Sequence, residues 1–244
     1  MQILKRDAAF KANEFTSYKF PYSLDNTRWL GYIKSVIETD EFASLTSNSQ
    51  TVYSIEDSKV MLVPQALFTK EASKTNFEFL FGDCSQFELE TSEIQSLDAV
   101  AIYGIPSTLS QIVASPVKSA FVSWLGLTND TFQPSVKCHI EKNQFALTIT
   151  KNDKLLFSNW FDYQKAEDVL YFFMATLETQ KVLHSEVELT LSGEVKKGDE
   201  IHASLTKFIS KVSFAVRPKN LSYAYSFREL PEHKFPFIFA AACE

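Results

Sequence analysis

The sequence predicts an α/β fold built on mixed sheets. Phe145, Leu147 and Ile149 alternate with Ala146, Thr148 and Thr150, the period of two that a strand imposes. Ala166, Leu170, Phe173, Met174 and Leu177 fall on one face of a helix, with Glu167 and Asp168 in or near its first turn, where carboxylates favour the exposed amides. Val187, Leu189 and Leu191 then alternate with Glu186, Glu188 and Thr190. Strand, amphipathic helix and strand in that order call for a helix packed on a sheet. The 244 residues, 45% hydrophobic and 22% charged, suffice for one large domain or two lobes.

The first part of the chain is patterned less regularly. Met1 to Phe20 holds short apolar pieces that read as one or two edge strands. Pro21 breaks the chain, and Ser23 is placed to cap a helix from about Leu24 to Leu45, with Leu30, Ile33 and Ile37 on one face. Polar Thr46 to Gln50 closes it. Thr51 to Ile55 and Lys59 to Val63 read as short strands, the second ended by Pro64, which lacks an amide donor. Thr69 stands before a helix running through Leu80, and Gly82 and Asp83 turn the chain. Phe87 and Leu89 mark a small strand, and the apolar run Ala99 to Tyr103 suits a strand buried on both faces. Ser107 to Val113 reads as a brief helix, and Val117 to Leu127 is helical by preference.

Thr128 to Pro134 is polar, carries a proline, and divides the chain into residues 1–130 and 131–244. Beyond it, Lys151 to Lys154 makes a tight turn into a return strand from Leu155. Asp162 is placed to cap the long helix. After Gly193, the residues Ile201, Leu205, Phe208, Ile209 and Val212 form a second amphipathic helix. Phe214 and Val216 form a short strand and Ala224 to Phe227 another, while Pro236 argues against an uninterrupted helix in the apolar tail. The order hairpin, strand, helix, strand, helix, strand is that of a ribonuclease-H-like module. A degenerate copy in residues 1–130 gives the two-lobed layout of actin-like ATPases.

Lys and Arg number 24 against 30 Asp and Glu, a net charge of -6. That balance argues against nucleic acid as the partner, since a phosphate array calls for a basic face. Lys196, Lys197, Lys207, Lys211, Arg217 and Lys219 gather in one region, read as a solvated face or a docking face for an acidic partner. Cys84, Cys138 and Cys243 are too few and too widely spaced for a disulfide framework or a zinc knuckle, and suit reduced cytoplasmic thiols. No stretch approaches the ~20 apolar residues of a membrane span, so no membrane insertion is expected.

The segment Phe157-Ser158-Asn159-Trp160-Phe161-Asp162-Tyr163, followed by Glu167-Asp168-Val169-Leu170-Tyr171-Phe172, resembles the Bacteroidetes protein family catalogued as domain of unknown function 3822, DUF3822. The resemblance continues through Leu189-Thr190-Leu191-Ser192-Gly193, the Leu62-Val63-Pro64 stretch, Ile105-Pro106, and a tail with His233, Phe235, Phe239 and Cys243. It covers most of the chain from about residue 50. It implies a two-lobed actin-like ATPase fold with ribonuclease-H-like halves, similar in outline to cytoplasmic scaffold proteins of pilus and secretion systems.

An actin-like ATPase needs two hairpin loops that hold phosphates, a Gly-rich turn for adenosine, and a side chain to position water. The hairpin in question is read as Lys151 to Lys154, which makes Asn152 and Asp153 the candidates, with Gly193 at the adenosine turn. None has the Gly-rich surroundings of a phosphate loop, and no G-x-x-x-x-G-K-[ST] motif exists. A nuclease of this fold would draw a carboxylate from strand 145–150, which has none. His139, His184, His202 and His233 show no metal-ligand spacing, and His233, beside Glu232, is the one singled out. No catalytic residue, resident cofactor or metal is therefore expected, ATP with magnesium being the alternative. The expected role is a non-enzymatic scaffold or interaction module. A protein partner is expected, a second copy docking through the C-terminal half being one candidate. Asn159, Trp160, Tyr163, Glu167, Asp168 and His233 are the candidate interaction surface; the aromatic knot reads first as structural, Phe161 closing the core and Asn159 satisfying a bent backbone, and second as Trp160 and Tyr163 gripping a partner as interface aromatics do.

Overall fold

The computed structural model describes residues 2–6, 11–17, 26–39, 53–113, 117–127, 134–152 and 154–243. Ser23, the stretch 46–50, most of the boundary segment and Asp153 lie outside the described residues. The centre of the molecule is a five-stranded sheet. Its strands are β8 (Ser135–Ile140), β9 (Gln144–Lys151), β10 (Lys154–Asp162), β11 (Glu188–Gly193) and β12 (Lys211–Phe214), in the order β10-β9-β8-β11-β12. β9 runs antiparallel to both neighbours, while β8, β11 and β12 are parallel. This is the ribonuclease-H-like order expected from the sequence, with its five strands placed differently: the strand outside the hairpin is β8, which lies before residue 145.

Two helices connect the parallel strands, α5 (Ala166–Thr179) and α6 (Glu200–Thr206). They cover one face of the sheet. Val136, Cys138 and Ile140 of β8, Phe145, Leu147 and Ile149 of β9, and Leu189 and Leu191 of β11 pack there against Val169, Phe173, Leu177 and Leu205. All are buried, and at ~25 cal/mol per Å² this apolar surface dominates the stabilisation of the C-terminal half.

Several expected local details are corrected. Asp162 does not cap α5: it ends β10 and accepts a hydrogen bond from Gln144 Nε2 at 2.9 Å. The capping carboxylate is Asp168, which accepts the backbone N–H groups of Gln164 and Lys165 at 3.0 and 3.2 Å. Val212 belongs to β12 and not to the helix, because α6 stops at Thr206. Residues 225–229 form a 3₁₀ turn rather than a strand. Pro236 starts a helix instead of interrupting one, since its missing N–H is among those a helix leaves unpaired at its first turn.

The N-terminal elements are β1 (Gln2–Arg6), β2 (Lys11–Ser17), α1 (Asn26–Thr39), β3 (Tyr53–Ile55), β4 (Val60–Pro64), α2 (Lys70–Phe81), β5 (Phe87–Ile94), β6 (Ala99–Pro106), α3 (Ser107–Ser110), β7 (Val117–Ser119) and α4 (Ala120–Gly126). β3 pairs with β7 in parallel, and β4-β6-β5 form an antiparallel sheet in which β6 is buried from Ala99 to Ile105. β1 and β2 make a hairpin whose third strand is β13 (Ser222–Tyr223), from the far end of the chain. After β13, α7 (Pro236–Ala241) packs on α4.

Arg217 organises this return. Its guanidinium donates to the carbonyl of Phe227 at 2.7 Å and to that of Leu230, and it lies over the rings of Tyr223, Phe227 and Phe239 at 5.3, 5.7 and 5.5 Å. Replacing Arg217 with Met removes both donors; the Leu230 carbonyl loses its guanidinium partner, while that of Phe227 keeps the Leu230 N–H at 3.1 Å. The expected cost is ~2 kcal/mol, measurable by denaturant unfolding, with faster proteolysis within residues 218–243.

Lys137 sits inside β8. Burial pushes its pKa down from 10.5 to about 8, although the ammonium donates to the Leu127 carbonyl and lies 5.2 Å from the Trp124 ring. The folded pKa is depressed, so wild-type stability climbs as pH rises from about 8 to 10.5, where the folded lysine has lost its proton and the unfolded one has not. Lys137→Met is therefore expected to be more stable than wild type at neutral pH, by ~1 kcal/mol. That advantage should shrink across the same window in paired thermal melts.

Candidate functional site

Two loops approach each other at the edge of the five-stranded sheet. β8 ends at Ile140, and Glu141-Lys142-Asn143 turn the chain into β9, with Glu141 N–H donating to the Gln144 carbonyl at 2.8 Å. Tyr163 braces this turn. Its hydroxyl donates to the Glu141 carbonyl at 2.5 Å and its N–H to that of Asn143 at 3.0 Å. The second loop, Glu56 to Lys59, joins β3 to β4 and is held by Asp57, which accepts Lys59 N–H at 2.8 Å. Between them lies a small cleft of about 220 Å³ lined by Glu56, Asp57, Ser58, Glu141, Gln144 and Trp160.

At its base is His139, only 3% exposed. Nε2 lies 3.8 Å from a carboxylate oxygen of Glu56 and 3.8 Å from one of Glu141. Nδ1 lies 3.0 Å from the hydroxyl of buried Ser192. Burial pushes the imidazole pKa down to about 4 against the opposing pull of Glu141 and Glu194, so the ring is neutral and forms no ion pair at neutral pH. Glu141 is pushed up to about 8, first by burial and then by the hydrogen bond and charge of Glu56. Glu141 thus holds its proton through neutral pH.

Aromatic side chains form the wall behind His139. Phe237 of α7 lies 4.2 Å from the imidazole centroid, Trp124 of α4 6.0 Å and Trp160 of β10 6.3 Å, with Phe121 5.3 Å from Trp160. The indole Nε1 of Trp160 is buried without a hydrogen-bond partner.

Gly193 closes the end of β11. Its φ is +87°, and a Cβ there would stand 2.0 Å from the Ile140 carbonyl oxygen and 2.9 Å from His139 Cε1. Its N–H donates to the His233 carbonyl at 2.7 Å, and Glu194 N–H donates to the Ile140 carbonyl at 2.7 Å. The glycine lets the ends of β8 and β11 meet the tail.

A model of the family described as "Protein of unknown function (DUF3822)" matches residues 9–212. The chain belongs to the DUF3822 family. Among solved structures it is similar to a Bacteroides thetaiotaomicron protein described as having an actin-like ATPase fold and unknown function. The TM-score is 0.76 at 17% identity, covering 95% of this chain and 88% of that one. It is also similar to a chain of the PilM–PilN type IV pilus biogenesis complex, with a TM-score of 0.69 at 11% identity over 99% and 94% of the two chains. No curated protein matches the sequence. The DUF3822 chain has the actin-like ATPase fold, as its element order implied.

The candidate residues of this DUF3822 protein are scattered. Asn152, with φ +50°, is exposed in the β9–β10 turn. That turn is at the opposite end of β9 from Glu141, some ~24 Å along the strand. The phosphate-loop position was thus misread: the first hairpin of the sheet is β8–β9, and its loop carries Glu141. Gly193 serves strand packing. Trp160 is half-buried with its indole N–H inside, Tyr163 braces the Glu141 turn, and Asp168 caps α5. His233 Nε2 is 2.9 Å from the Val195 carbonyl. Only Asn159 and Glu167 of that group are exposed. The sequence reading missed Glu56, His139 and Glu141. Its available signal was Val136, Cys138 and Ile140 in alternation, with His139 and Glu141 two apart at the strand's end.

Magnesium ATP fits this cleft poorly. Neither loop, Glu56–Lys59 or Glu141–Asn143, carries a glycine whose unhindered amide could wrap a phosphate. Among the described residues, no helix is long and apolar enough to cross a membrane. Gly193→Ala should be severely destabilising, by ~4 kcal/mol or more, because it combines a left-handed backbone with a main-chain clash. A circular-dichroism melt of Gly193→Ala beside Gly198→Ala, where a Cβ meets only open space, isolates the clash.

Proposed function

We propose that this DUF3822 protein is a non-enzymatic, cytoplasmic interaction module that keeps the actin-like fold and binds a protein partner. The observation that carries this reading is the lack of glycine in both loops at the cleft, Glu56–Lys59 and Glu141–Asn143. A polyphosphate is wrapped by unhindered backbone amides, which loops of this composition do not offer. The aromatic wall of Trp124, Trp160 and Phe237 supports the reading by leaving a cleft of only about 220 Å³. Partner binding gains support from the PilM–PilN complex, in which a chain of this fold is found with another protein. Exposed Leu67, Phe79 and Leu80, at 73%, 88% and 57%, offer apolar surface near α2 for such a contact.

Calorimetric titration with magnesium ATP, with phosphate release followed in the same sample, tests the proposal. The expected result is no saturable heat at millimolar nucleotide and no release above a protein-free blank. Saturable micromolar binding, or hydrolysis above the blank, overturns it in favour of an actin-like ATPase with atypical loops.

A further inference from the structure

We propose that Glu56, His139 and Glu141 bind a divalent first-row metal ion, zinc or manganese, which ties the β3–β4 loop to the β8–β9 turn. One ligand atom from each residue lies within 4.8 Å of the other two. Four donors around a metal at ordinary bond lengths stand ~3.3 Å apart. Nε2 of His139 is 3.8 Å from each carboxylate, a few tenths of an ångström beyond that spacing. The two glutamate side chains are 40% and 32% exposed, which leaves them free to make that movement.

The imidazole is already positioned. It is almost wholly buried, with Phe237, Trp124 and Trp160 around the ring. Nδ1 lies 3.0 Å from Ser192 Oγ; the tautomer that donates this proton to the hydroxyl puts the lone pair on Nε2, which faces the carboxylates. Neither carboxylate is within hydrogen-bond distance of it. A buried nitrogen aimed between two carboxylates without touching either suits a cation placed among the three.

The donor set selects the class of ion. One imidazole with two carboxylates suits zinc or manganese, whereas calcium and magnesium favour all-oxygen shells. Three protein donors leave a position open toward the cleft, which Asp57, Ser58 and Gln144 also line. Because Glu56 comes from one loop and the other two ligands from β8 and its turn, the ion is a cross-link between the N-terminal and C-terminal elements. The site shares its cleft with the interaction reading above, and because the metal titration uses no nucleotide, the failure of either is told apart from the failure of the other.

The full chain, stripped with chelator and dialysed, is titrated calorimetrically with zinc chloride and separately with manganese chloride. Manganese is the discriminating probe, because the thiols of Cys84, Cys138 and Cys243 favour zinc. The expected result is one saturable site per chain, with a melting temperature that rises on loading. Glu56→Gln and Glu141→Gln should each weaken binding by about 100-fold while keeping the wild-type circular-dichroism spectrum. Glu56→Gln alters a partly exposed side chain, so a folding failure does not obscure the result. No saturable binding of either metal at millimolar concentration overturns the proposal. Binding that survives both substitutions belongs elsewhere on the chain and overturns it equally.

Discussion

Strand β8 is paired on both edges and covered on both faces, and the positions of its neighbours follow from that burial. Val136, Cys138 and Ile140 lie under α5 and α6. Lys137 and His139 point the other way, beneath α4 and α7, where polar atoms without partners would be costly. Each finds one specific partner: Lys137 the carbonyl of Leu127, His139 the hydroxyl of Ser192. These two bonds place the end of α4 and the end of β11 against β8. Gly193 permits the same convergence from β11, since its backbone rests against the Ile140 carbonyl.

The cleft inherits its chemistry from this arrangement. Glu141 follows the last residue of β8 directly, so it stands at the sheet edge whatever else the loop does. Glu56 stands at the corresponding end of β3. The fold therefore brings two acidic loop starts together over a histidine too deeply buried to carry charge. An actin-like frame is retained, while the chemistry at its loops favours a cation or a proton over a polyphosphate.

Much of the architecture was legible because its elements are one-sided. α5 shows Phe173, Met174 and Leu177 at helical spacing, and β11 shows strict alternation, so burial on one face wrote itself into the sequence. β8 was harder, because half-buried Lys137 and buried His139 interrupt its apolar residues. The misplaced phosphate hairpin followed from that one omission: with β8 unseen, the β9–β10 turn became the first hairpin. Asp162 and Asp168 show the limit of local signals, as either suits a cap and only the bend between β10 and α5 decides. The site residues were illegible for a related reason. Glu56 and His139 are far apart in sequence and meet only through the pairing of β3 with β7 and the packing of α4 and α7.

The third strand of the N-terminal hairpin sheet is Ser222–Tyr223, pinned from Arg217 and followed by the helix that backs His139. That topology sets an order of events during synthesis. β2 leaves the ribosome about 200 residues before the strand that pairs with its edge, a wait of ~10–40 s at ordinary elongation rates. Throughout that interval β2 presents an unpaired edge, the feature by which nascent chains join one another. The late strand acts as a latch. Hairpin, cleft wall and tail reach their final packing only once the last quarter of the chain has emerged, so the acidic cleft is finished in one closing step.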